Sequence, residues 1–245
     1  METQPEIPAR RSEPVAAWWH TATVLLILGY FSFRFALSRH GDNPPGAGGV
    51  ATSPASQVWG YVFLIGSEFA LASWTWAGVH WKGLTIRDIV GGRWNSWRSV
   101  ARDFAIALPF WLVWEATAWL VHRAVDPLHA DVAPYHVPTG FAEVSLWLLL
   151  SVSAGLCEEF VYRGYLQRQF HAATGSVAAG VILQGVVFGL GHTYQGWGQV
   201  TVITALGILY GALVAWRRDL RASMIAHAWS DMYEGYLQFL SLPHL

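Results

Sequence analysis

Seven apolar stretches recur along this chain, and each approaches the length of about 20 residues that a helix needs to cross a bilayer. They lie near 15–37, 57–79, 103–124, 142–160, 176–194, 199–216 and 222–241. Inside a bilayer every backbone polar group must find a partner within the protein, so stretches of this length can cross only as helices. The sequence therefore predicts an all-α, polytopic membrane protein of about seven transmembrane helices, with residues 1–245 forming a single domain.

The overall composition agrees with a membrane protein. Of the 245 residues, 53% are hydrophobic and only 13% are charged. Such a composition excludes a disordered chain and argues against an ordinary soluble domain. The formal net charge is −1, whereas nucleic-acid binding calls for a basic surface. We therefore expect the lipid bilayer as the environment and no nucleic acid as a partner.

Positive charge is distributed unevenly between the loops on the two sides. If the N-terminus is cytoplasmic and the helices alternate, twelve Lys and Arg residues fall on the inner side. Only Arg39 and Arg123 fall in the outer loops. Because cytoplasmic loops carry the excess of Lys and Arg, this predicts a cytoplasmic N-terminus and an outer C-terminus.

Two connecting segments carry their own signals. The Gly- and Pro-rich segment 41–54 predicts an irregular outer loop. The segment 82–102 is basic with interleaved Trp, which fits either a helix lying along the inner leaflet or a plain basic loop.

Charged residues interrupt the fourth apolar stretch. Glu158 and Glu159 are adjacent, and Arg163 follows one helical turn later. An ionised group at the centre of a membrane helix costs roughly 3 kcal/mol on insertion scales, so such groups face partners or a polar cavity and are functional candidates. Glu159 and Arg163 are spaced i,i+4 and can pair. That pairing leaves Glu158 on a different face, free for chemistry.

Two further polar groups interrupt later stretches. His192 lies in the fifth, and His227 with Asp231 lies in the seventh at i,i+4 spacing on one helix face. A partly dry carboxylate such as Glu158 suits a general base that takes a proton from water. His192 can then hold that water or a metal that binds it, while His227 and Asp231 contact a carbonyl oxygen or complete a ligand set.

Three motifs in this order resemble the CPBP family of intramembrane proteases, which includes the Rce1-type CAAX prenyl endopeptidases and the bacterial Abi proteins. The motifs are Glu158-Glu159-x-x-x-Arg163, Phe188-x-x-x-His192 and His227-x-x-x-Asp231. The resemblance covers about residues 142–241. It implies an intramembrane endopeptidase acting on a peptide or on a prenylated or membrane-associated protein, in the plasma (inner) membrane of a prokaryote.

The resemblance also implies roles for the residues. Glu158 would be the catalytic base, with His192 helping to activate the water. His227 and Asp231 would stabilise the oxyanion. Glu159 and Arg163 would organise the site.

Asp231 departs from the Asn of Rce1-type members, and an ionised Asp cannot donate a hydrogen bond. It is therefore protonated, orients His227 or binds a metal. The cofactor is either none or Zn²⁺, because Glu158, His192 and His227 could hold zinc with an open position.

Simple alternation conflicts with this site. It places Glu158 near the inner end of the fourth span and His192 near the outer end of the fifth. Either the fifth span is broken or tilted, which Gly189 and Gly191 would permit, or the motif helices lie deeper.

Two other functions stay open. Mid-membrane carboxylates and histidines also suit an ion- or proton-coupled transporter, and a non-catalytic membrane scaffold could retain the motifs. Glu68 and Glu115 also lie mid-span but match no motif, and we expect them to be hydrogen-bonded structural residues rather than to line a substrate path.

Overall fold

A computed structural model describes residues 13–38, 54–125, 138 and 140–241. The α-helices are α1 Trp18–Ser38, α2 Pro54–Trp81, α3 Ile86–Val90, α4 Trp97–Val125, α5 Phe141–Glu158, α6 Gln167–Thr174, α7 Val177–Gly191, α8 Trp197–Arg217 and α9 Arg221–Ser241. A π-helical segment, Glu159–Leu166, joins α5 to α6, and a short 3-10 turn, Thr193–Gln195, follows α7. The described residues contain no strand, which confirms the all-α fold class. The predicted outer loop 41–54 lies almost wholly outside the described residues.

Several of these helices have the length and apolar composition to cross a membrane. Four such stretches occur in the described part of the chain, at 57–81, 97–124, 141–174 and 197–217. Helix α7 is apolar but has only 15 residues. The polytopic membrane character is thus confirmed, while the number of seven transmembrane helices stays a prediction.

The fourth span was predicted to end near residue 160, and this was wrong. Phe141–Thr174 is one continuous helical stretch of 34 residues. The polar residues beyond 160 do not end it, because Arg163 is neutralised by Glu159 inside the helix and the π segment is buried throughout. The stretch ends at Gly175, whose left-handed conformation (φ 73°) suits glycine.

This longer stretch removes the conflict between Glu158 and His192. Helix α7 starts just after Gly175 and packs back against α6 and the π segment. Glu158 lies 16 residues before Thr174, and His192 lies 15 residues after Val177. At a rise of about 1.5 Å per residue the two therefore reach a similar level of the helical hairpin.

Glycines set the close approach of α7 to α8. A Cβ on Gly189 would lie 2.7 Å from the carbonyl oxygen of Val200, and one on Gly207 would lie 3.0 Å from the Cα of Gly185. Because side chains would not fit there, these glycines allow the two helices to approach closely. This contact fixes the helix that ends at His192.

The segment 82–102 forms neither a continuous interfacial helix nor a plain loop. It contains α3, whose first turn is capped by Thr85 and Asp88, and its last residues already belong to α4. Hydrogen bonds from the Thr85 side chain and backbone lower the pKa of Asp88. Arg168 of α6 donates to the carbonyl oxygens of Asp88 and Ile89 at 3.0 and 2.9 Å. These bonds dock the segment onto the end of α6.

Helix α5 lies at the centre of the arrangement that carries the motifs. It packs against α2 on one side and α9 on the other, and α9 also packs against α4. The π segment contributes Phe160, Val161, Tyr165 and Leu166 to the main buried cluster. The three polar motifs are therefore held by α5 with its π segment, by the end of α7 and by α9.

Candidate active site

The two adjacent glutamates lie at the junction of α5 and the π segment, and they have opposite environments. Glu158 is the last residue of α5 and Glu159 is the first of the π segment. The Glu158 side chain is 23% exposed, whereas that of Glu159 is completely buried. π-helical turns are rare and frequently occur at functional sites. The helix thus turns one carboxylate towards open space and the other into the protein.

Glu159 forms the predicted ion pair with Arg163. Their Oε1 and Nη1 atoms are 2.8 Å apart, and neither side chain is exposed. The guanidinium carbon lies 4.2 Å from the ring centroid of Phe188 and 5.1 Å from that of Tyr210, within the range of cation–π attraction. The pair is therefore enclosed and fixed, as a residue pair that organises a site would need to be.

His227 connects this buried pair to the exposed carboxylate. Its Nδ1 lies 2.9 Å from Glu159 Oε1. A carboxylate only accepts hydrogen bonds, so Nδ1 carries the proton and donates it to Glu159. The imidazole ring stacks on Tyr210, with 5.1 Å between ring centroids and 21° between planes. Ring orientation is therefore fixed from two sides, and Nε2 is left for chemistry.

Glu158 and Asp231 both approach Nε2 of His227. Glu158 Oε2 lies 3.7 Å from it and Asp231 Oδ2 lies 3.8 Å from it. Their side chains are 23% and 29% exposed. Separations beyond 3.5 Å are too long for direct hydrogen bonds and are typical of groups bridged by a water. The two carboxyl groups thus converge on Nε2 of His227 from two helices without bonding to it directly.

His192 ends α7, with φ −104° and ψ 21° outside the helical region. Its Nδ1 donates to the carbonyl oxygen of Phe188 at 2.8 Å, which leaves Nε2 as an acceptor. The Phe188 ring lies between the two histidines, 4.9 Å from His192 and 6.0 Å from His227 between ring centroids. The structure thus brings His192 to the edge of the cluster through Phe188.

The described residues do not form the zinc ligand set considered from the sequence. In that part of the chain, no three His, Cys, Asp or Glu side chains are grouped as they would be to hold a metal ion. Glu158 and His227 Nε2 are neighbours, but His192 contacts the cluster only through the Phe188 ring.

Residues 140–233 match the family described as type II CAAX prenyl endopeptidase Rce1-like. The chain carries an Rce1-like segment. This confirms the resemblance seen in the three motifs, all of which lie inside the matched residues. Comparison with curated proteins and with solved structures gave no match.

Two residues near the Rce1-like cluster were not assigned to it from the sequence. Tyr210 of α8 stacks on His227 and its hydroxyl lies 3.1 Å from Ser230 Oγ. Glu68 of α2 accepts a hydrogen bond at 2.5 Å from Ser153, which lies on the helix that ends at Glu158. Neither belongs to a motif, and only their polarity within apolar spans could have marked them.

The mid-span glutamates are hydrogen-bonded, as expected. Glu68 is bonded to Ser153, and Glu115 accepts from Trp111 Nε1 at 3.0 Å. Ser153 lies on α5, five residues before Glu158, so its bond holds Glu68 against the helix that ends at Glu158.

Proposed function

We propose that this protein is an intramembrane endopeptidase of the CPBP and CAAX-protease type, in which Glu158 activates the attacking water. One observation carries the proposal: Nε2 of His227 faces the partly exposed carboxylates of Glu158 and Asp231 at 3.7 and 3.8 Å. Two carboxyl groups and an imidazole nitrogen thus lie close together without direct hydrogen bonds, inside a segment that matches an endopeptidase family.

The proposed reaction starts with the water. Glu158 removes a proton from it as general base, and the oxygen forms a bond to the peptide carbonyl carbon. The oxyanion that develops is stabilised by His227, protonated at Nε2, and by Asp231 in its protonated form. When the C–N bond breaks, the leaving nitrogen takes the proton that Glu158 holds. Glu158 is then ionised again and ready for the next water.

Supporting residues hold this arrangement. The Glu159 carboxylate keeps the proton of His227 on Nδ1, and Arg163 keeps Glu159 ionised although it is buried. The free Nε2 of His192 can accept a hydrogen bond from the attacking water. These groups are on helices rather than loops, which favours a fixed geometry.

The substrate we infer is a peptide segment at the membrane. The matched family is described as a type II CAAX prenyl endopeptidase, so a prenylated peptide is the first class to test. The same description favours hydrolysis over an ion-coupled transporter. Cleavage of matched prenylated and unprenylated peptides by purified protein tests the activity. A scaffold without catalysis would cleave neither.

The role of Asp231 separates a metal-free site from a metal site. We expect Asp231→Asn to keep at least a tenth of wild-type cleavage, since Asn retains the size of Asp and can donate a hydrogen bond to the oxyanion. If Asp231 were a zinc ligand, Asp231→Asn should lose most of its cleavage activity, because a neutral amide binds zinc weakly. The measurement is cleavage rate together with the zinc content of wild type and mutant. Inactive mutant protein, with stoichiometric zinc in the wild type that the mutant lacks, would refute the metal-free mechanism.

Orientation in the membrane follows from loop charge. We propose a cytoplasmic N-terminus in the inner membrane of a prokaryote, although Arg163 is buried in a helix and so no longer counts among the loop charges. In a Cys157→Ala background, single cysteines at Lys82 and Ser53 should react with an impermeant maleimide from opposite sides. Ser53 lies outside the described residues, and Lys82 is exposed. Labelling of both from one side would show that the helices between the loops were counted wrongly.

A further inference from the structure

A large apolar groove runs along the outside of the site helices. It has a volume of about 810 Å³ and lies between α2, α5 and α9. Its apolar walls are formed mainly by Phe69, Trp76, Val152, Leu156, Met224 and Ile225. Neither Glu158 nor His227 lines the groove, so it is separate from the candidate active site. Their neighbours in sequence, Cys157 and Ala228, do line it. One wall is therefore the back of the helices that carry the catalytic candidates.

The end of the groove next to the start of α9, here called its mouth, is more polar than its walls. The segment after α3 contributes Gly92, Arg93 and Trp94 there, and α9 contributes Arg221. Trp94 is 48% exposed, and half-exposed Trp side chains are typical of the level of the lipid headgroups. An apolar trough that ends in cations and a Trp has the polarity profile of a phospholipid.

The two arginines at the mouth differ in how they are neutralised. Arg221 lies 3.1 Å from Asp219 and 3.4 Å from Asp103, and it donates to the carbonyl oxygen of Arg93 at 2.9 Å. These contacts occupy the Arg221 guanidinium, and the two carboxylates neutralise its charge. Arg93 is exposed, and no ion pair joins it to an acidic group among the residues that the structure describes. Its positive charge is thus available at the groove's mouth.

We propose that this groove binds an anionic phospholipid of the surrounding bilayer. The headgroup phosphate lies against Arg93 with Trp94 at the interface, and one acyl chain lies along Phe69 and Leu156 towards Cys157. Basic pockets between membrane helices are the sites that favour anionic headgroups. The positive charge of Arg93 favours an anionic headgroup, and the apolar walls bind the acyl chain.

Native mass spectrometry of the purified full chain tests the site, with phosphatidylglycerol and phosphatidylcholine of identical chains as probes. We expect phosphatidylglycerol to be retained about fivefold more, the size of one arginine's attraction to an anionic surface. Arg93→Gln should abolish this preference. The matched control is Arg98→Gln, an exposed arginine of α4 that does not line the groove, and it should keep the preference. Equal retention of both lipids by wild type, or equal losses in the two variants, would refute the site.

A second pair of variants tests the acyl-chain part of the groove. Ser73 is exposed and lines the groove, whereas Ala70 is exposed on the same helix and does not. Ser73→Phe should lower retention of both lipids at least threefold relative to Ala70→Phe. Equal retention in the two would place the acyl chain elsewhere and overturn the proposal.

A third arm distinguishes a bilayer lipid from a lipid attached to a substrate. Adding a prenylated peptide should leave phosphatidylglycerol retention unchanged. Displacement by the peptide would assign the groove to substrate and refute a bilayer lipid. None of these measurements depends on proteolysis, so the outcome is independent of the proposed enzymatic function.

Discussion

Glu158→Gln should reduce peptide cleavage by at least about 10²-fold, the usual contribution of a general base. Gln has nearly the shape of Glu but cannot take a proton from water. The Glu158 side chain is 23% exposed, and His227 Nε2 lies 3.7 Å from it, beyond the range of a direct hydrogen bond. The substitution should therefore leave folding unchanged, and the loss should appear in kcat rather than in thermal stability.

The matched control is Glu115→Gln, which neutralises another mid-span carboxylate. Glu115 accepts from Trp111 Nε1, and the Gln side-chain oxygen can accept the same bond. The Glu115→Gln variant should therefore cleave the peptide at close to the wild-type rate. If Glu158→Gln protein melts normally and cleaves within a few-fold of wild type, the proposed base is wrong. An equal loss of cleavage in both variants would instead indicate a general effect of removing a carboxylate from a membrane-spanning helix.

Most of the residues that form the candidate active site could be predicted from the sequence. Because i,i+4 spacing is a local property of helices, the Glu159–Arg163 pair could be predicted before the fold was known. The three motifs likewise pointed to Glu158, His192, His227 and Asp231. The catalytic roles of these residues are still predictions that the cleavage experiments test.

The length of the fourth helix could not be predicted in this way. Hydropathy counts Arg163 as a polar residue that ends a span, but in the fold its charge is neutralised by Glu159 and covered by Phe188 and Tyr210. Only the partners contributed by α7 and α8 make residue 163 compatible with a buried helix. The same long-range contacts explain why the stacking of Tyr210 on His227 was not foreseen.

The separate roles of the two adjacent glutamates also depend on tertiary structure. The sequence named Glu158 as the base because Glu159 can pair with Arg163, but it did not show which other group separates the two carboxylates. In the fold His227 approaches Glu159 at 2.9 Å through Nδ1 and leaves Nε2 towards Glu158. The imidazole thus faces the two carboxylates through different nitrogens, as the proposed roles of Glu158 and Glu159 require.

Arg163→Gln should be the most destabilising single substitution in the site. It removes the charge that neutralises Glu159 where neither side chain is exposed, and breaking a buried ion pair costs about 3–5 kcal/mol. Arg102→Gln is the matched control, because Arg102 also pairs with a carboxylate, Asp103 at 3.3 Å, but is 53% exposed. An exposed pair contributes about 0–1 kcal/mol. The measurement is the free energy of unfolding in detergent.

A double substitution separates the ion pair from simple loss of packing. Glu159→Gln removes the buried negative charge, so the double variant with Arg163→Gln should recover most of the lost stability. It should remain poorly active, since a neutral Gln stabilises a protonated His227 less than a carboxylate does. If the double variant is as unstable as Arg163→Gln alone, contacts of the guanidinium with Phe188 and Tyr210 dominate, and the electrostatic account of this pair is wrong.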